Sequence, residues 1–424
     1  MTSEDLSWES HKVAEICASA PNALATGPFG SAIGSRFFRD SGIPVIRGNN
    51  LRADPEVRLS EEGLVFLDPE KAAEFERSTV KCGDLIFTCW GTINQIGLLD
   101  GSARYPAYVI SNKQMKLTTN PQRASTEFLY YLFSAPVMQH QILQGAIGSS
   151  VPGFNLARLR SIELRLPSIR EQRRIAAAIA DADSLTRGLR RLIAKTRAIK
   201  QGMMQELLTG KTRLPGFANE WRDLKVASAS HLKARIGWQG LTAAEYRSSG
   251  HYRLVGGTDF KEGRVNWSKT PFVDKWRFDQ DQSIQLKPDD VLLTKDGTIG
   301  KVAFVDDLPG PATLNSGVFV IRPRQAAYHP RFLYQLLRSR VFDEFVAALS
   351  AGSTINHLYQ RDLVTLNLQM PSDLSEQEAI ARVLQDTDDE ILILERRLTS
   401  ARAIKQGMMQ ELLTGRTRLP MQED

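Results

Sequence analysis

The chain has 424 residues and a formal net charge of +6, with a pI near 9.1, long enough for two or three domains that each bury a core. It contains no run of 18 apolar residues and so no candidate membrane-crossing helix, and its acidic, polar start MTSEDLSWES does not read as a secretory signal, which implies a cytoplasmic protein. The basic balance permits a nucleic-acid partner without requiring one. The three cysteines at 17, 82 and 89 have no metal-ligand spacing, and Cys82 and Cys89 are expected as reduced core thiols.

In chain order, Asp84–Thr88 is a short apolar run closed by the turn Gly91-Thr92, as a buried strand would be. The spacing predicts helix over 126–144, a strand over 161–166 and a long amphipathic helix over about 171–209. The same succession then recurs: strands at 290–295 and 318–322, helix at 330–349, and a second long helix at about 376–414. Residues 197–215, RAIKQGMMQELLTGKTRLP, return as 402–420 with Lys211 replaced by Arg416 as the only difference. Trp8, Lys12, Val13 and Ala14 match Trp221, Lys225, Val226 and Ala227, and Glu171-Gln172 matches Glu376-Gln377. The offset stays between 204 and 213 residues, so the halves are expected to share one α+β fold around a curved sheet, related by a pseudo-two-fold internal repeat.

Each long segment carries an apolar seam. Leu384, Thr387, Ile391, Leu394, Leu398 and Ala401 alternate by fours and threes, and Ile179, Ala182, Thr186, Leu189, Ile193 and Thr196 form a weaker counterpart. Gly210 and Gly415 follow the last helical turns, where a left-handed cap needs glycine. Parallel pairing would set Asp181 on Asp386 and Arg191 on Arg396. Antiparallel pairing sets the acidic run from Asp386 to Glu395 against the basic run from Arg187 to Lys200, so an antiparallel coiled coil is expected. Some 39 residues at 1.5 Å each make a rod of about 58 Å, roughly 17 base pairs of duplex DNA.

Catalytic signatures are missing. Thr209-Gly-Lys-Thr212 lacks the upstream glycine of a phosphate loop, since Gln205 stands there, and it ends a helix instead of following a strand. The six histidines are scattered, with no nucleophile or ligand set around them. What remains is a supply of polar and basic residues beside turns, the types that reach base edges and phosphates. In the first module these are Arg36, Arg47, Asn49, Asn50, Trp90, Thr92, Asn94, Gln95 and Lys113. In the second they are Arg235, Trp238, Gln239, Lys295, Asp296, Thr298, Lys301, Asn315 and Ser316. Trp90 fits core packing as well as base contact, and Asn49-Asn50 fits a turn as well as a reader.

The order module, helix, module, helix resembles the specificity subunit of type I restriction–modification enzymes. So do the turns Thr88-Cys-Trp-Gly-Thr-Ile93 and Thr294-Lys-Asp-Gly-Thr-Ile-Gly-Lys301, and above all the helix end Lys-Gln-Gly-Met-Met-Gln-Glu-Leu-Leu-Thr-Gly. One departure is Asn94-Gln95 where the second half has Gly300-Lys301. The resemblance implies two globular target recognition domains with β-rich cores, 1–167 and 216–372, and two spacer helices in conserved regions, 168–215 and 373–424. It implies a non-catalytic subunit, one copy per complex, that reads a bipartite duplex DNA site. Two methyltransferase subunits using S-adenosylmethionine would dock on it, and restriction subunits using ATP and Mg2+ would join them, with no cofactor bound by this chain. A silent specificity module, or a coiled-coil scaffold for other proteins, are the alternative readings.

Overall fold

The computed structural model describes residues 8–52, 55–144, 154–236, 240–350 and 357–420. They fall into two compact units. The first joins residues 1–191 to 396–424, and the second is 192–395. Residues 396–420, remote in sequence, thus pack with the first module.

In the first unit the strands are β1 (Glu9–Lys12), β2 (Leu24–Thr26), β3 (Ile43–Ile46), β4 (Val65–Leu67), β5 (Thr79–Val80), β6 (Asp84–Thr88), β7 (Ile96–Leu98), β8 (Tyr108–Ile110), β9 (Gln114–Thr118) and β10 (Glu163–Leu166). They form two four-stranded sheets, β2-β9-β6-β7 and β4-β3-β8-β5, and an antiparallel pair, β1-β10. The second unit has β11 (Trp221–Lys225), β12 (Ser230–Ala234), β13 (Tyr252–Val255), β14 (Phe260–Lys261), β15 (Arg264–Val265), β16 (Phe272–Val273), β17 (Val291–Thr294), β18 (Val302–Phe304), β19 (Ala312–Leu314), β20 (Val318–Pro323) and β21 (Asn367–Pro371). Its order β12-β20-β17-β18 repeats β2-β9-β6-β7, extended by β15 and β14, and β16-β13-β19 repeats β4-β3-β8. Each module is thus α+β, but with two larger sheets and a two-stranded pair where one sheet was expected. All five residues of β6 and all four of β17 are buried, as a central strand covered on both faces requires.

Both predicted module helices are broken. Residues 126–144 split into Thr126–Ser134 and Pro136–Gln144, because Pro136 drives Ala135 out of the helical region. The second splits into Pro330–Leu337 and Arg340–Ser350. Cys82 is exposed and Cys89 buried, so the expected core pair of thiols is not formed.

The long helices are Ile169–Leu207 and Leu374–Leu412, and each unit contains part of both. In the first unit Asp183 pairs with Lys405, and Glu171 with Arg418. In the second Lys200 pairs with Asp388 at 2.6 Å, and Arg213 grips Glu376 with two hydrogen bonds of 2.5 and 2.6 Å. As one number rises the other falls, so the segments run antiparallel within each unit. The four pairs are two pairs repeated at an offset of 205, and of them only Lys200–Asp388 lies within the charge runs. From those runs only Lys200–Asp388 and Arg197–Glu395 meet, whereas Arg190 turns to Glu56 and Asp389 to Arg264. On the seam, Asp183 is buried where Ala182 was expected; the Tyr131 hydroxyl, at 2.7 Å, and Lys405 make that tolerable.

The remaining repeated residues close the units. Gln172 accepts from Ser125 N at 2.9 Å and donates to Pro167 O at 2.9 Å. Gln377 does the same with His329 N and Pro371 O at 2.8 and 2.7 Å. Gly210 and Gly415 both have φ of +72°, and a Cβ on either would lie 3.1 Å from the indole of Trp221 or Trp8. A side chain at either would take a strained backbone and press on the indole beside it.

With side chains 1% and 7% exposed, Asp183 and Lys405 are close to a fully desolvated pair. Lys405→Met should lower unfolding stability by about 3–5 kcal/mol in denaturant titration, because it strands the carboxylate. Combining it with Asp183→Leu should recover most of the loss.

Candidate nucleic-acid interface

The central strand of each module leaves the sheet into a loop of the same backbone design. Thr88 N donates to Gln95 O at 3.0 Å, and Gln95 N to Thr88 Oγ1 at 3.1 Å. Thr294 N donates to Lys301 O and Lys301 N to Thr294 Oγ1, both at 2.9 Å. Beyond the threonine, Cys89 N donates to Lys113 O and Lys295 N to Gly317 O at 2.8 and 2.9 Å. The carbonyls of Cys89 and Lys295 then accept from Phe154 N and Leu358 N at 3.0 and 2.8 Å. Asn94 and Gly300 both have positive φ, 71° and 85°. The departure in the first loop is therefore conformationally silent, asparagine being the residue besides glycine that enters this region readily.

These bonds pair positions across the repeat: Trp90 with Asp296, Gln95 with Lys301, Lys113 with Gly317. One backbone carries two different sets of side chains.

In the first module Arg47, Asn49, Trp90, Thr92, Gln95 and Lys113 line one concavity of about 730 Å³. Arg47 is held there by Nη2 donating to Gly63 O at 2.8 Å, with its guanidinium 5.8 Å from the Phe38 ring. Trp90 is 52% exposed, which decides between core packing and an open surface. Phe38, Arg52 and Asn112 share the wall and were missed; Asn112, one residue before Lys113 in the same turn, was the findable one. Arg36 is exposed against Phe37 and Asn94 donates to Gln139 O at 3.3 Å; neither is among the residues lining the concavity.

Asn50 is a correction. It is fully buried; its Oδ1 accepts from Arg47 N at 2.9 Å, and its Nδ2 donates to Ser60 O and Glu62 O at 2.9 and 3.1 Å. All its polar capacity goes into holding a turn, a place taken in the second module by Asp259, which accepts from Gly256 N at 2.8 Å.

In the second module the candidates contact sequence neighbours and residues that were not predicted. Asn315 Nδ2 donates to the Tyr246 hydroxyl at 2.9 Å, and its Oδ1 accepts from Ser316 N at 2.8 Å. Asp296 lies against His357 on one side, with Lys295 Nζ 3.6 Å away. Thr298 and Lys301 are exposed. Tyr246 and Tyr359 are large exposed aromatics, and the His357 ring lies tilted against Tyr359 with centroids 4.5 Å apart; only their spatial neighbours mark these three. Arg235 is the second correction: 1% exposed, it donates to Leu314 O, Thr313 Oγ1 and Gln280 Oε1. Burial, chiefly, holds its guanidinium below the usual arginine range, with the nearby Arg277 adding to the effect. Trp238 and Gln239 lie outside the described residues.

Among the described residues no three His, Cys, Asp or Glu side chains assemble as a metal site, and no helix is long and apolar enough to cross a membrane. Burial pushes the Cys89 thiol up to about 11, which keeps it protonated and unreactive at neutral pH.

A family described as the type I restriction modification DNA specificity domain matches residues 39–195 and again 241–401. The MjaVIII specificity subunit of Methanocaldococcus jannaschii, a type I restriction enzyme component, is 23% identical over 73% of this chain and 75% of its own length. A putative MjaX specificity subunit of the same organism is 21% identical over 89% and 88%. The fold is similar to the crystal structure of a type I restriction–modification S subunit from M. genitalium, with a TM-score of 0.62, 13% identity and coverage of 100% and 99% of the two chains.

The division into framework and surface is testable without any ligand. Asn50→Ala should cost about 1–3 kcal/mol by stranding buried backbone groups, and Arg235→Ala should destabilise for the same reason, both read by thermal unfolding. Trp90→Ala, at an exposed position, should leave the melting temperature within about a degree or two.

Proposed function

The chain belongs to the type I restriction modification DNA specificity family, and from that premise we propose how it divides its work between its halves. It is a sequence-recognition subunit with two target recognition domains, each built on one copy of the repeat. Arg47, Asn49, Trp90, Thr92, Gln95 and Lys113 contact one half of a bipartite duplex site. Lys295, Asp296, Thr298, Lys301, Asn315 and Ser316 contact the other. The observation that carries this reading is the shared loop backbone with unlike side chains at matched positions, Trp90 against Asp296 and Lys113 against Gly317. Equal backbones present residues at equal depth to a groove; unlike side chains then select unlike bases.

The chain supplies recognition and no chemistry of its own. One copy serves a complex in which two methyltransferase subunits bind S-adenosylmethionine, and restriction subunits use ATP and Mg2+. The basic residues at both surfaces contribute contacts to phosphate, which steer and hold the duplex independently of sequence.

Exchanging residues 216–370 for the corresponding module of a relative, followed by mapping of methylated adenines, should change one half-site and leave the other intact. Change in both halves, or in neither, would refute separate readers. Duplex binding should also weaken linearly in log–log form with salt, the slope falling by about one for each phosphate-contacting Lys or Arg removed.

A further inference from the structure

Two residues past the end of the central strand stands Trp90 in the first module and Asp296 in the second. We propose that Asp296 is a specificity-determining residue that demands an exocyclic amino group, that of adenine or cytosine, on the contacted strand at one position of the second half-site. This rests on the reading of that surface as a DNA reader.

A carboxylate is an unexpected group to turn toward a polyanion carrying one charge per ~1.7 Å. Phosphates repel it, and so do the acceptor atoms that guanine and thymine present in the major groove. Only the N6 amine of adenine and the N4 amine of cytosine donate there. Each base pair carries one such amine, on one strand, so a fixed carboxylate distinguishes A or C from G or T on the strand it faces.

Four features suit Asp296 to this task. Its Oδ1 is turned inward against His357 Nδ1, which sets the plane of the carboxylate. Its Oδ2 lies 3.6 Å from Lys295 Nζ, a cation that offsets part of the repulsion from DNA. The side chain keeps 36% of its surface open. Gly317 leaves one side of the carboxylate uncovered: a Cβ there would lie in van der Waals contact with it, 3.6 Å from Asp296 Cβ and 3.8 Å from Oδ2. The first module puts Lys113 at that place beside Trp90.

A plain structural latch between the loop and residue 357 is the competing account. The latch exists already in the backbone, as Leu358 N donating to Lys295 O at 2.8 Å. The first module makes the same bond, Phe154 N to Cys89 O at 3.0 Å, with Trp90 in place of the carboxylate. The loop folds without an acid at this position.

The test uses the full-length chain with its methyltransferase partner, comparing the wild type with Asp296→Asn and Asp296→Ala by methylation mapping. The amide can donate as well as accept, so Asp296→Asn should admit G or T at one position of the second half-site, with discrimination there falling about tenfold. The first half-site should not change. In duplex binding, an adenine or cytosine analogue lacking the amine at that position should weaken the wild type about tenfold and Asp296→Ala hardly at all. Whichever analogue acts shows which of the two bases is read. Unchanged selectivity in both variants overturns the proposal, and so does an equal loss of affinity for every sequence with a lowered melting temperature, the signature of a latch. A wild type with no bipartite preference would instead overturn the function on which this rests.

Discussion

A buried carboxylate at the start of each long helix governs how this chain can fold. Glu376 has no exposed side-chain surface and Glu171 only 11%. A charge so placed must be paired and hydrogen-bonded or it destabilises the protein by several kcal/mol. The partner is an arginine just past the end of the other long helix, Arg213 or Arg418, engaged through two nitrogens. That arginine arrives only because Gly210 or Gly415 turns the chain in a left-handed conformation under a tryptophan. The start of one helix and the end of the other are thus conditions for each other, and each compact unit draws on both. The first unit is completed by residues far away in sequence, which gives residues 396–420 a structural duty toward the N-terminal module.

The repetition of Lys-Gln-Gly-Met-Met-Gln-Glu-Leu-Leu-Thr-Gly and of the Thr-Arg-Leu-Pro that follows it has the same origin. Leu207 and Leu208 enter the core of the second module, and Leu412 and Leu413 that of the first. A stretch that must cap a helix, pack its leucines under a module and place an arginine on a buried glutamate has little freedom to vary. The surfaces at the strand exits have no such duty beyond their backbone bonds. Trp90 and Asp296 can differ because Cys89 and Lys295 carry the framework through main-chain atoms. A reader is changed without disturbing the fold that presents it.

Much of the architecture was legible in the sequence because repetition supplies an internal standard. A residue kept at an offset of about 205 marks a constraint, and the strands, long helices and glycine caps followed from such matches together with apolar spacing. Local chemistry was enough where the governing contacts are local, as at the glycine caps, yet the break that Pro136 makes in the expected 126–144 helix was not read, although a proline restricts the residue before it whatever its surroundings. The candidate site was legible in part. Turn-flanking polar residues were found, yet Asn50 and Arg235 were indistinguishable in the sequence from their exposed neighbours, since whether an amide or guanidinium meets main-chain acceptors depends on segments 10 to 79 residues away.

The sequence by itself determined two α+β modules on one plan, the two long helices and the caps that end them, because periodicity, turn chemistry and duplication are all written in neighbouring residues. Tertiary structure alone decided that each module divides its strands among more than one sheet and that Asp183 and Lys405 meet in the helix seam. It also decided that Arg47, Trp90 and Lys113 share one concavity, and that Asp296 stands beside an open glycine. Those outcomes rest on distances between residues remote in the chain, and they are set by which buried charges and donors can satisfy one another once the water between them is gone.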